Sequence, residues 1–206
     1  MRNPFSAEYN PSFNLYYRIE QPDSIQVFVS RFTKLDRNFV PKNLVLLSDL
    51  DPSLPARFMR KEAAVSFVEL KKAVYEATNI KISTNSAYRS YETQAALFNR
   101  YVQLDGFEKA NTYSALPGHS EHQTGLAIDL ILEPSIMAFG DSQAYPWVKQ
   151  NAHRFGFIER YPNHKSHITS YIHEPWHWRY VGIELATYLF HTQMTFDEYW
   201  IMGQNE

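Results

Sequence analysis

Cysteine is absent from this chain of 206 residues. Disulfide bridges and thiolate zinc ligands are therefore excluded, and any transition metal must be held by histidine and carboxylate side chains. A chain free of cysteine tolerates an oxidising compartment, but it does not establish one. The candidate metal ligands reduce to histidine, aspartate and glutamate.

A strong excess of charge and a long apolar run are also lacking. The formal net charge is −2, whereas a nucleic-acid-binding protein needs a basic face, so we expect no nucleic-acid partner. No apolar run approaches the roughly 20 residues that span a bilayer, so we expect no transmembrane segment. The N-terminus, which begins at Met1, carries no signal-peptide pattern. We therefore expect either a protein that stays inside the cell or a chain that has been trimmed.

The patterns that are present predict one mixed domain. The length of 206 residues is ordinary for a single domain. Prolines punctuate an irregular start, which predicts an N-terminal arm over residues 1–34 that wraps a domain of residues 35–206. Periodicity predicts helices near 60–78, 90–105, 143–155 and 183–192, and strands near 25–32, 80–84, 124–132, 157–160 and 176–181. This order indicates an α+β fold with helices packed on a small antiparallel sheet.

The spacing of apolar residues also predicts which helix faces are buried. The buried face of the helix near 60–78 is expected to carry Ala64, Phe67, Val68 and Tyr75. For the helix near 90–105, the expected buried residues are Leu97, Tyr101 and Leu104, with Ser90 as the N-cap and Gly106 as the end.

Residues with metal-binding chemistry are concentrated in two short blocks, 120–129 and 174–177. Two histidines and one carboxylate can hold Zn²⁺ and leave its fourth position open for water. A nearby glutamate that is not a ligand can then accept a proton from that water. His122, Asp129 and His177, with Glu174 as the fourth group, fit this requirement.

The geometry of the two blocks adds two testable points. Asp129 lies on an otherwise apolar strand, where its charge is costly unless it is paired. His122 has the opposite strand parity, so the two side chains converge only if the chain bends at or before Gly125. Glu174 precedes a proline, which favours extended backbone, and His177 follows on a predicted strand that has Trp176 on its opposite face. Each residue alone could have a purely structural role, and the joint pattern carries the hypothesis.

The two blocks match the patterns Ser-x-His-x-x-Gly-x-Ala-x-Asp and Glu-x-x-His, and they closely resemble the VanY-type zinc D-alanyl-D-alanine carboxypeptidases. Further stretches that resemble family signatures occur in the family's order at 88–91, 113–115, 117–125, 156–162 and 179–182. The resemblance implies the fold that this family shares with the hedgehog signalling domain. It implies that His122, Asp129 and His177 are the zinc ligands and Glu174 the catalytic base. It further implies that Arg89 meets the substrate carboxylate or the developing oxyanion.

The expected activity is removal of the terminal D-alanine from peptidoglycan stem peptides. L,D-carboxypeptidase and peptidoglycan endopeptidase activities remain open, as does a metal-stabilised binding module without catalysis, although such a module needs no base. Candidate substrate-binding residues are Tyr88, Gln94, His119, Ser120 and Trp176, of which the first four could equally be structural. The resemblance suggests work in the cell envelope or outside the cell, with a cytoplasmic or phage-borne role as alternatives.

Overall fold

The computed structural model describes residues 17–133 and 138–203. The strands are β1 Tyr17–Arg18, β2 Thr33–Lys34, β3 Leu44–Leu46, β4 Phe58–Arg60, β5 Lys81–Ser86, β6 Ala127–Glu133, β7 Phe157–Glu159 and β8 His177–Tyr180. The helices are α1 Leu47–Leu50, α2 Lys61–Thr78, α3 Tyr91–Asp105, α4 Phe107–Tyr113, α5 Ala144–Asn151, α6 Ser166–Thr169, α7 Ile183–Thr192 and α8 Phe196–Gly203. Short 3-10 turns cover Glu121–Thr124, Phe139–Asp141 and Ala152–Phe155.

A four-stranded sheet in the order β5-β6-β8-β7 forms the centre of the domain. Its neighbouring strands are all antiparallel, which confirms the predicted α+β fold. In this register Asp129 on β6 stands opposite His177 on β8. The pairing brings residues from the two sequence blocks side by side, although 48 positions separate them in the chain.

Helix α2 buries its apolar face against this sheet. Ala64, Phe67 and Val74 are fully buried and belong to the main core with residues of β5, β6 and β8. The predicted face is therefore right for Ala64 and Phe67, but Tyr75 is 45% exposed. The helix ends where Asn79 adopts a left-handed conformation and donates its backbone N–H to Tyr75.

Helix α3 starts as predicted but buries different residues. The Ser90 side chain accepts a hydrogen bond from the Thr93 backbone N–H, and the helix ends at Gly106. The predicted stripe is wrong at Leu104, which is 69% exposed, whereas Gln94 and Phe98 are buried. Phe98 is buried because α4 follows immediately and its Phe107 covers the Phe98 ring, with a ring-centroid separation of 5.9 Å.

The segment 25–32 does not form the predicted strand. It is irregular, and two of its carbonyl groups accept hydrogen bonds from the buried Arg179 guanidinium, at 3.1 Å for Ile25 and 2.7 Å for Val27. The apolar residues that suggested a strand are buried because the segment packs into the domain, with Val27 and Val29 in the main core. Since residues 1–16 lie outside the described part of the chain, the division into an arm and a domain stays a prediction.

The remaining elements follow the sequence closely. Helix α7 has its predicted limits. The predicted helix over 143–155 is α5 continued by a 3-10 turn, and Gly156 ends it with a φ of 78°. Within residues 17–133 and 138–203, the structure contains no helix whose length and apolar character would suit a membrane span.

Candidate active site

A cavity of about 560 Å³ opens beside the central sheet. Its walls come from α3, from the 3-10 turn that starts at Glu121, from β6 and from the chain that leads into β8. The predicted site residues that line it are Arg89, Gln94, Ser120, His122, Asp129, Glu174, Trp176 and His177. One cavity thus gathers most of the residues that the sequence singled out.

The bend predicted between His122 and Asp129 is present. His122 lies in the 3-10 turn, where the Ser120 hydroxyl caps its backbone N–H at 3.4 Å. Gly125 then adopts a φ of 68°, and β6 begins only at Ala127. The turn removes the strand parity that would have placed His122 and Asp129 on opposite faces, so both side chains reach the cavity.

Substituting Gly125 with alanine should destabilise the fold around this bend. The added Cβ would lie 2.9 Å from Leu44 and 3.2 Å from Arg60, in a backbone region that side chains disfavour. We expect a loss of about 2–4 kcal/mol in the free energy of unfolding, measured by denaturant titration. Gly203→Ala is the control, because its Cβ would meet nothing within 4 Å. Equal stability of the two variants would contradict the prediction.

Three ligand atoms converge at the base of the cavity. His122, Asp129 and His177 each offer one such atom within 4.8 Å of the others. The His122 Nε2 to Asp129 Oδ2 distance is 3.2 Å, and the His177 Nδ1 to Asp129 Oδ1 distance is also 3.2 Å. Ligands bound at about 2.0–2.1 Å to a tetrahedral Zn²⁺ lie roughly 3.3 Å apart. The donor set therefore fits zinc, and the two histidine–aspartate distances are close to that separation.

Hydrogen bonds on the far sides of the two rings set which nitrogen of each faces the cavity. The His122 Nδ1 lies 2.6 Å from the Ala87 carbonyl oxygen, so that nitrogen carries the proton and Nε2 keeps its lone pair. The His177 Nε2 lies 3.2 Å from the Glu121 carboxylate, so Nδ1 is the nitrogen available to a metal. Both available nitrogens point towards Asp129, as ligation requires.

The two carboxylates of the site, Asp129 and Glu174, have pKa values shifted in opposite directions. Burial opposes ionisation of Asp129, but the neighbouring His122 and His177 dominate and hold its pKa well below the ordinary range. Burial raises the pKa of Glu174 to about 7, although a bound cation would counter that rise. Glu174 does not belong to the group of converging ligand atoms. A carboxylate of this kind, near but outside the ligand set, suits a general base.

Arg89 places a positive charge at the same site. Its guanidinium is 3.8 Å from the Asp129 carboxylate, and its backbone N–H is tied to the His122 carbonyl. The Arg89 Nε atom is buried and has no hydrogen-bond partner within the described residues. The buried Gln94 lines the cavity as well, with its side-chain N–H donating to the Ala115 carbonyl at 2.6 Å. The cavity therefore has cationic and amide groups for a polar ligand.

Trp176 is 38% exposed at the cavity wall. The structure does not bring the other two candidate substrate-binding residues, Tyr88 and His119, to the cavity. His119 turns away, and its Nδ1 lies 2.8 Å from the Ser30 carbonyl. The backbone N–H of Tyr88 donates to Phe58 on β4. Both residues lie in stretches that resemble family signatures. Their contacts favour a structural role for them over substrate binding.

Sequence reasoning missed the buried charged residues behind His177. Glu121, Arg160 and Arg179 are almost completely buried, and both arginines pair with the Glu121 carboxylate. All three lie in stretches already noted for their resemblance to the family. Arg179 alone has a signal in the sequence, because it is a charge on a predicted strand between Trp178 and Tyr180 and so requires a partner.

The fold and the site together define a mononuclear metal-dependent hydrolase, with three convergent ligands and a separate carboxylate in one cavity. The comparisons with known proteins agree. Residues 56–183 match the family model described as VanY, D-alanyl-D-alanine carboxypeptidase. The putative carboxypeptidase YodJ of Bacillus subtilis (strain 168) is 38% identical over 192 residues, which cover 88% of this chain and 68% of that protein.

Two solved structures show the likeness in three dimensions. The LdcB LD-carboxypeptidase matches with a TM-score of 0.79 and 36% identity over 90% of this chain and 89% of that one. VanYB in complex with D-alanine-D-alanine matches with a TM-score of 0.73 and 31% identity over 85% and 96% of the two chains. A variant of VanY from the VanB-type resistance cassette, in complex with Zn(II), matches equally well.

The chain belongs to the VanY family of D-alanyl-D-alanine carboxypeptidases. This confirms the predicted resemblance, the α+β fold, the expectation of a carboxypeptidase of the hydrolase class and zinc as its metal. A binding module without catalysis, the most distant alternative, has no support from these relatives.

Proposed function

We propose that this protein is a zinc-dependent D,D-carboxypeptidase that releases the terminal D-alanine from peptidoglycan stem peptides. The observation that carries the proposal is the cavity in which His122, Asp129 and His177 converge beside Glu174 and Arg89. Three ligands with an open fourth position are typical of catalytic rather than structural zinc sites. The family and the VanYB complex with D-alanine-D-alanine support the same substrate terminus.

In the proposed reaction, His122, Asp129 and His177 would hold the zinc ion, which when bound would supply Lewis acidity and lower the pKa of water towards roughly 7. Glu174 accepts a proton from the attacking water and later delivers it to the leaving amine of D-alanine. Because Glu174 is buried, water in bulk competes poorly for that proton. General acid–base catalysis of this kind contributes typically about 10²–10⁴-fold to the rate.

Arg89 is proposed to recognise the free carboxylate at the end of the peptide. A guanidinium presents a fork of donors that matches a carboxylate, and the Arg89 Nε has no partner of its own within the described residues. The 3.8 Å pair with Asp129 holds the guanidinium next to the ligand cluster. Ser120, Gln94 and Trp176, which line the same cavity, are proposed to contact the rest of the peptide.

This substrate would place the enzyme at the cell wall, in the cell envelope or outside the cell. The proposal rests on the chemistry of the substrate, since peptidoglycan lies outside the cytoplasmic membrane.

Digestion of defined peptides tests the function. Zinc-loaded protein is incubated with a stem pentapeptide that ends in D-Ala-D-Ala, with and without chelator, and the products are identified by mass spectrometry. We expect loss of one D-alanine, abolished by the chelator. A pentapeptide with a C-terminal amide is the matched control, and its cleavage should be roughly 10–150-fold slower because the hydrogen-bonded pair with Arg89 is lost. An intact pentapeptide would refute the proposal, and an internal cut would indicate an endopeptidase.

An L,D-carboxypeptidase is the second candidate, because the LdcB LD-carboxypeptidase resembles this chain at least as well as VanYB does. The same experiment separates the two activities when a stem tetrapeptide is included. Preference for the tetrapeptide would indicate L,D specificity, because the residue before its scissile bond has the L configuration, whereas that residue in the pentapeptide is D-alanine.

A further inference from the structure

A network of buried charges lies directly behind His177 and is not needed for the chemistry described above. Its members are Glu121, Arg160, Arg179 and Asp197, and none is more than 5% exposed. Burying two carboxylates and two guanidinium groups is costly, and it is tolerated only where their geometry satisfies them mutually. The network therefore needs a physical reason for its position.

The two oxygens of Glu121 have different partners. Oε1 accepts hydrogen bonds from the Arg160 Nε at 2.8 Å and from the Arg179 Nη1 at 2.9 Å. Oε2 lies 3.2 Å from the His177 Nε2. Because the arginines hold one oxygen in place, the other is fixed where it can accept a proton from the imidazole.

The rest of the network holds the two arginines. Arg160 also donates to the Asp197 carboxylate on α8. Arg179 donates to the backbone carbonyls of Ile25 and Val27. Glu121 is thus held by two arginines that are themselves fixed, one by α8 and the other by the backbone of segment 25–27. Its carboxylate therefore has little freedom to turn away from His177.

We propose that Glu121 is a positioning residue of the metal centre, which fixes the proton on the His177 Nε2 and so turns Nδ1 towards Asp129 as a ligand. This inference rests on the proposed metal site but not on the identity of the substrate. A carboxylate behind a ligating histidine fixes its tautomer and ring orientation, and losing such a partner typically weakens metal binding by about 10–100-fold.

Glu121→Gln tests the proposal because the two ends of an amide are not equivalent. Arginine can only donate hydrogen bonds, so the carbonyl oxygen of the glutamine must face Arg160 and Arg179. Its NH₂ group then faces the His177 Nε2, which must become the acceptor. The proton then favours Nδ1, where it competes with the metal for that nitrogen.

Asp197→Asn is the matched control. It makes the same isosteric loss of charge within the same network and also weakens a partner of Arg160, but its contacts in the structure do not include His177. A merely structural network would make the two variants behave alike. If Glu121 positions His177, only Glu121→Gln should weaken zinc binding.

The experiment measures the zinc dissociation constant by chelator competition and the melting temperature of the metal-free proteins. We expect both variants to melt at a lower temperature than the parent, since each leaves a buried guanidinium with less compensation. Zinc binding should weaken by about 10–100-fold in Glu121→Gln only. Nitrogen-15 NMR of the zinc-loaded parent should show the His177 proton on Nε2.

Unchanged zinc affinity of Glu121→Gln would overturn the inference, as would an equal loss in Asp197→Asn. Should Glu121→Gln not fold, Glu121→Asp keeps the charge but shortens the side chain, and we expect it to weaken zinc binding because it cannot reach the arginines and His177 together. Parental affinity in that variant would likewise overturn the proposal. Digestion of the pentapeptide by the parent protein is scored separately, so failure of the activity is distinguished from failure of the positioning role.

Discussion

Glu174→Gln should lower the rate of D-alanine release by about 10²–10⁴-fold while zinc stays bound. The amide has nearly the shape of the carboxylate but cannot accept a proton from water, so the cavity is preserved and the base is lost. Glu174 lies outside the group of converging ligand atoms, which is why metal binding should survive. Its position beside the cluster is fixed by two backbone hydrogen bonds, from Glu174 to the Tyr161 carbonyl and from His177 to the Glu174 carbonyl.

The measurement combines single-turnover kinetics on the pentapeptide with metal analysis of the same sample. Glu184→Gln is the control, since Glu184 is exposed in the first turn of α7 and should leave the rate unchanged. A Glu174→Gln protein that retains the parental rate would remove Glu174 from its proposed role. Loss of zinc together with activity would show instead that Glu174 contributes to metal binding.

The local geometry of the site could be predicted because it is encoded over short distances. The left-handed Gly125 and the parity of His122 and Asp129 lie within eight residues, and a glycine between two side chains that must converge indicates a bend in the chain. The chain directly before Pro175 forms no helix, as steric restriction by the proline ring predicts. Each of these features depends on neighbours in the chain.

The order of the sheet and the charge network could not be predicted in the same way. Arg160 and Arg179 are 39 and 58 positions from Glu121, and no periodicity links a buried charge to a partner at such a distance. The sequence shows only that these charges need partners, because an unpaired buried charge is too costly. Which partner each takes is decided by the tertiary fold.

Two of the errors in the predicted elements and buried faces have the same origin. The apolar residues of segment 25–32 suggested a strand, and they are indeed buried. Two of the backbone carbonyls of the segment, however, accept hydrogen bonds from the Arg179 side chain and not from a neighbouring strand. Leu104 is exposed although the helical period places it with Leu97, because α3 ends against α4 rather than against the core. Periodicity reports that a residue is apolar, and packing between elements decides whether it is covered.

Asp129→Ala should abolish zinc binding at micromolar concentrations of the metal. The two carboxylate oxygens of Asp129 face His122 and His177 at 3.2 Å each, so its removal leaves two neutral nitrogens and no anionic ligand. Because loss of an outer-sphere partner alone weakens metal binding by about 10–100-fold, we expect loss of a ligand to exceed 100-fold. Activity on the pentapeptide should fall with it, since a site without metal lacks its Lewis acid.

Thermal melting with and without zinc gives a second readout that does not depend on activity. A ligand present at 100 times its dissociation constant stabilises the folded state by about 2.7 kcal/mol, so zinc should raise the melting temperature of the parent and not that of Asp129→Ala. Asp105→Ala is the control, because Asp105 is exposed at the end of α3 and should keep the zinc-induced shift. If Asp129→Ala retained both zinc and the shift, Asp129 would be excluded as a ligand. Its charge on an apolar strand would then be balanced by Arg89 and the two histidines alone.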